Sequence, residues 1–63
     1  MSYTLYEIWS EDDIGHLELV ETTASKTEAL KIAEQCLQDG FVTSIVYQET
    51  EEGDTKEIAR LTA

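Results

Sequence analysis

Between Ser25 and Gly40 the chain reads SKTEALKIAEQCLQDG, the one stretch in which start, period and stop agree. Ser25 followed by Glu28 is the S-x-x-E capping box, in which each side chain satisfies a backbone N–H that the first helical turn leaves unpaired. At about 100° per residue, Ala29, Leu30, Ile32, Ala33, Cys36 and Leu37 gather on one side, and Glu28, Lys31, Glu34, Gln35 and Gln38 take the other. Gly40 tolerates the left-handed backbone that closes a helix. The segment is predicted as an amphipathic helix with a single apolar face, which must be covered by something else in the chain.

The flanking segments read as strands. YTLYEIW, Tyr3 to Trp9, is rich in aromatic and β-branched residues. Tyr6 and Ile8 point to one side, and Tyr3, Leu5 and Trp9, with Glu7 among them, to the other. A strand apolar on both faces belongs in the middle of a sheet. SEDDIG, Ser10 to Gly15, is a polar loop, and HLELVET, His16 to Thr22, returns from it. Leu17 and Leu19 alternate there with His16, Glu18 and Val20, which predicts a half-buried edge strand with an acidic outer face. After the helix, Phe41 to Glu49 is a second two-faced strand, with Phe41, Ile45 and Tyr47 opposed to Val42 and Val46. Thr50 to Asp54 holds the glycine of a type I turn with a bulge, and Thr55 to Thr62 is the return strand, carrying Lys56 and Arg60 as edge charges.

The connectivity is ββαββ. Setting the third strand beside the first makes every neighbouring pair antiparallel, in order 2-1-3-4, and puts both two-faced strands in the centre. The expected class is α+β: one domain over residues 1–63, a four-stranded antiparallel sheet with one helix on one face. The opposite face is left with apolar groups from strands one and three. No internal repeat is visible in the sequence.

A domain of 63 residues hides only about 60% of its unfolded surface, so its core is small. A single cysteine closes no internal disulfide, and one His with one Cys makes no zinc set. Cys36 on the apolar side of the helix suits a reducing, cytoplasmic compartment. No leader and no membrane-length apolar run is present. Fourteen acidic residues against four basic ones give a formal charge of −10, which disfavours direct contact with nucleic acid or anionic membrane and favours encounter with basic proteins.

No catalytic constellation emerges. His16 lacks an identifiable nucleophile or orienting carboxylate, and Cys36 sits among alanines and leucines rather than in an electropositive site. Glu11-Asp12-Asp13 and Glu49 to Asp54 lack the ligand spacing of a calcium loop. Neither an enzyme, a cofactor nor a metal site is expected. The sharper signal is aromatic: Tyr3, Leu5, Glu7 and Trp9 on strand one, with Glu18 beside them and Glu51, Glu52 and Asp54 at a hairpin end, form a candidate surface for a partner with apolar and basic groups.

From Leu5 to Gln48 the run of features resembles the small host RNA polymerase inhibitor of short-tailed coliphages. The matching residues are Thr22 or Ser25 at the helix start, Glu28-Ala29-Leu30, Ala33-Glu34 and Gly40-Phe41-Val42. The resemblance implies a small phage host-takeover protein that acts purely by binding. Arginines near the third strand of that family contact the polymerase, whereas Thr43, Ser44, Gln48 and Glu49 stand here, so no functional residue carries over.

The expected function is a non-enzymatic acidic protein-binding module, of phage or mobile-element origin, that uses the helix-free sheet face. Its alternatives are a homodimer that buries this face against its own copy and an acidic mimic of nucleic acid that occupies a basic groove. Trp9, the single tryptophan, reports on the first of these. If it lies on the open face its emission in a proven monomer is partly solvent-relaxed, and a fully buried emission maximum contradicts the placement.

Overall fold

Ser25 caps the helix as the sequence indicates, by half of the expected device. Its backbone is extended and its Oγ accepts from the Glu28 N–H at 3.2 Å. The reciprocal half is supplied differently, because the Ser25 N–H donates to Thr23 Oγ1 at 3.2 Å. At the far end the Phe41 N–H donates to the Cys36 carbonyl and the Gly40 N–H to that of Leu37, with Gly40 at φ 111°: the Schellman arrangement that turns the chain back to the sheet.

A computed structural model describes residues 4–63. Its elements are β1 (Leu5–Glu11), β2 (Leu17–Thr23), α1 (Lys26–Gln38), β3 (Thr43–Glu49) and β4 (Thr55–Thr62). All neighbouring strands are antiparallel, in order β2-β1-β3-β4, so the α+β, ββαββ architecture is the one the strand patterns imply. Boundaries move in three strands: β1 continues through Ser10 and Glu11, β2 runs one residue later than His16–Thr22, and Phe41 and Val42 precede β3 instead of beginning it. Tyr3 lies outside the described residues. No helix is long and apolar enough to cross a membrane among the described residues.

The core sits between α1 and the central strand pair. Ile8 and Val46 are direct cross-strand partners, both 0% exposed, and pack with Ala29 and Ala33, also 0% exposed. Ala29, Ala33 and Cys36 follow at helical spacing, and their small size lets the helix lie close to the sheet. Tyr6, Leu30, Ile32, Ile58, Ala59 and Leu61 close the margins. One step along the strands, Ser10 and Ser44 face each other fully buried, with their hydroxyls 3.2 Å apart. One hydroxyl donates to the other, and this bond offsets part of the cost of taking both out of water.

The two hairpins are built alike. In the first, the Gly15 N–H donates to the Asp12 carbonyl and the Asp12 N–H to that of His16; in the second, Gly53 donates to Thr50 and Thr50 to Asp54. Gly15 and Gly53 have φ of 87° and 90°, a conformation that other residues rarely adopt. Both are type I turns with a glycine bulge, so the first connection is a tight turn, not the six-residue loop its composition implies. Asp12 Oδ1 tightens it, accepting from the Ile14 and His16 N–H groups. Each outer strand also carries one further bulge, at Val20 in β2 and at Ile58 in β4. Asp12, Gly15 and Val20 stand at one constant sequence offset from Thr50, Gly53 and Ile58. The hairpins are thus related by an approximate two-fold axis perpendicular to the sheet, passing by the Ile8–Val46 pair.

The buried hydroxyl pair gives a clear stability test. Ser10→Ala strands the Ser44 hydroxyl and is expected to cost about 1–3 kcal/mol. The double variant Ser10→Ala/Ser44→Ala is expected to lose clearly less than the sum of the two single changes, as measured by urea denaturation.

Candidate functional site

The helix-free face is defined by the strand register, since directly paired residues place their side chains on the same side of a sheet. Four rows run across it. They are Leu17–Glu11–Thr43–Thr62, Leu19–Trp9–Ile45–Arg60, Thr22–Glu7–Tyr47–Glu57 and, without β2, Leu5–Glu49–Thr55. Leu5, Glu7 and Trp9 therefore share this face, as their spacing implies, and Ile45 and Tyr47 join them from β3.

Glu18 does not join them. It pairs with Ser10, whose side chain lies on the helix side, so Glu18 belongs to the helix side as well. The expected acidic outer face of β2 is thereby reversed. The two leucines, 43% and 46% exposed, look away from α1, while Glu18 lies on the other side, exposed because the helix covers the central strands. The Val20 bulge then shifts the alternation, so Glu21, paired with Ile8, also falls on the helix side. Glu51, Glu52 and Asp54 are exposed in the β3–β4 turn, at one end of the sheet.

Ile45 is the centre of the open face. It is only 5% exposed although no helix covers this side, because its direct neighbours Trp9 and Arg60 flank it with long side chains. Both neighbours are held in place. Trp9 Nε1 donates to Glu7 Oε1 at 3.0 Å, and Arg60 donates through two nitrogens to the Glu57 carboxylate, at 2.8 and 3.4 Å. The Arg60 hydrogen bond holds Glu57 below the ordinary 4.5, burial opposing it and the positive charge adding to it; Glu57 in turn raises Arg60. This ion pair is solvent-exposed, so it orients Arg60 rather than stabilising the fold appreciably.

The face combines an apolar row, Leu19–Trp9–Ile45, with carboxylates on both sides of it: Glu11 on one, Glu7 and Glu57 on the other. Farther along, Leu5, Glu49, Thr50 and Glu51 line a pocket of about 50 Å³. Sequence reading finds Leu5, Glu7 and Trp9, but it omits Leu19, Ile45, Glu11, Glu49 and Glu57. The alternation of Phe41–Glu49 already opposes Ile45 and Tyr47 to Val46; what it lacks is the register that sets Ile45 against Trp9. Among the described residues no three His, Cys, Asp or Glu side chains come together as a metal-ligand set. Cys36 is a free thiol buried under the helix.

Comparison with protein-family models, with curated proteins and with solved structures gives no match to any of the three.

The Arg60–Glu57 pair sets a pH dependence of known sign. A carboxyl lowered in the folded state contributes above its unfolded value and loses that contribution as pH falls through the lowered one. Arg60→Met keeps a side chain over Ile45 and removes the hydrogen bond, so the Glu57 carboxyl, followed by NMR, is expected to titrate higher, toward 4.5. An unchanged midpoint contradicts the pairing.

Proposed function

We propose that this chain is a non-enzymatic protein-binding module that takes its partner on the helix-free sheet face. The observation that carries the reading is the row Leu19–Trp9–Ile45, in which exposed Leu19 and half-buried Trp9 are the accessible apolar groups and Ile45 lies beneath, set among Glu7, Glu11 and Glu49. Buried aromatic anchors contribute most of the energy of protein interfaces, and surrounding charge governs encounter and orientation. The formal charge of −10 gives the same sign to the whole molecule and favours a partner with a basic surface.

Of the alternatives, self-association through this face sets Glu7, Glu11 and Glu49 against their own copies, and the one cation there, Arg60, is already engaged with Glu57. Mimicry of nucleic acid calls for carboxylates in a regular line, whereas here they are interleaved with Trp9, Ile45 and Tyr47. An inhibitor of a host protein, of phage or mobile-element origin and acting in the cytoplasm, is the specific form that the resemblance to the polymerase inhibitors favours. The buried free thiol of Cys36 is consistent with that compartment.

The test is a paired capture from a host lysate. Immobilised wild-type protein is expected to retain a specific protein that Trp9→Ala retains at least about tenfold less and that rising salt releases. Thermal unfolding of the variant establishes that it is folded. Equal retention by folded Trp9→Ala contradicts the reading.

A further inference from the structure

We infer that the occupant of the open face is a basic amphipathic helix of another protein, its apolar stripe flanked on both sides by lysine or arginine. This rests on the reading of that face as the docking surface and adds the chemistry of what docks. Three features define the occupant.

The first is charge. The row Leu19–Trp9–Ile45 lies between Glu11 on one side and Glu7 on the other, with Glu49 beyond Glu7, while Glu57 is already matched by Arg60. The only cation on these rows, Arg60, is engaged by Glu57. An occupant that covers the row brings groups up to carboxylates on both edges, so cations must flank its apolar stripe. A second copy of this chain carries the opposite requirement, because it brings carboxylates to carboxylates.

The second is backbone chemistry. A peptide laid on the face of a sheet, rather than along its edge, gains no ladder hydrogen bonds from the sheet. An extended segment there leaves N–H and C=O groups unpaired as it loses water, whereas a helix satisfies its own. The other face shows the arrangement within this chain: a helix of 13 residues covers the central strand pair there. Segments that pair with strand edges are a different class of ligand, and the edges here are interrupted by bulges at Val20 and Ile58.

The third is the pocket of about 50 Å³ lined by Leu5, Glu49, Thr50 and Glu51. Leu5 and Glu49 are direct partners on the open face, so the pocket continues the same surface. Its lining of one apolar and two acidic residues suits the stem and the head of a lysine or arginine. The occupant therefore places one long cationic side chain beyond the end of its apolar stripe.

The probe is a synthetic peptide of about 18 residues made of leucine and lysine, with the leucines on one helical face. Two controls have the same length. One has the same composition with leucines spread evenly round the helix, and the other replaces each lysine by glutamate. Titration into isotopically labelled full-length protein is expected to perturb the amides of Trp9, Leu19 and Ile45 more than those of Glu28, Lys31 and Glu34 on the outer side of α1. The amphipathic basic peptide is expected to bind at least tenfold more tightly than either control, to become helical by circular dichroism, and to shift Trp9 emission to shorter wavelength. Glu49→Gln/Glu51→Gln is expected to weaken it severalfold without loss of thermal stability.

Equal binding of the spread-leucine peptide reduces the effect to net charge and overturns the inference, as do shifts confined to the outer side of α1. If no peptide binds, but a protein captured by the wild type protects Trp9 and Ile45 amides from exchange, the helix is wrong and the docking face stands. If sedimentation shows a dimer that buries Trp9, both fall.

Discussion

The rest of the molecule depends on one close approach, that of Ala29 and Ala33 to the Ile8–Val46 pair. These four residues are fully buried and come from the helix and the two central strands. A small domain has few such contacts, and each carries a large share of the stability. Larger residues at 29 or 33 force the helix away from the sheet, and then Ser10 and Ser44, buried one step along, become open to water. The apolar stripe of α1 is therefore a spacing device as well as a hydrophobic one. It fixes how near the helix lies, and through that which polar pair can be hidden beneath it.

The same contact explains why the sheet has two unlike faces. One helix covers the central strands on one side only, and β2 stays exposed: every residue of it except Thr23 is open to solvent. On the uncovered side the sheet covers itself. Trp9 and Arg60, each tied to a glutamate, enclose Ile45 between them. The salt bridge and the indole hydrogen bond orient two long side chains beside Ile45, and the result is an apolar surface kept among carboxylates.

The fold was legible because each element announces itself locally: a capped helix, two strands apolar on both faces, a turn with glycine at the bulge position. Order 2-1-3-4 then followed from giving both two-faced strands a neighbour on each side. Less of the site was legible. Strict alternation placed Glu18 on the open face, and it failed because strand direction and pairing, not alternation alone, decide which parity faces the helix; Val20 then breaks the alternation within β2. Ile45 was placed on one side of its strand but not recognised as the centre of the open face, for a related reason. Its importance comes from being opposite both Trp9 and Arg60, and that is a property of register. The Asp12-x-x-Gly15 and Thr50-x-x-Gly53 spacings were present in the sequence, yet the first was hidden by a polar neighbourhood that resembled a longer loop.

The matching hairpins have a consequence for recognition. Half a turn about the axis by Ile8 and Val46 exchanges one hairpin for the other, so for the partner proposed on the open face the main chain offers two matching orientations. Only the side chains distinguish them. Trp9 is exchanged with Tyr47, an aromatic for an aromatic, but Leu19 is exchanged with Glu57 and Thr22 with Arg60. The greasy corner lies over β2 and the ionic corner over β4. What distinguishes the two orientations of this almost symmetric main chain is thus written in the outer strands, chiefly in Leu19 and Glu57.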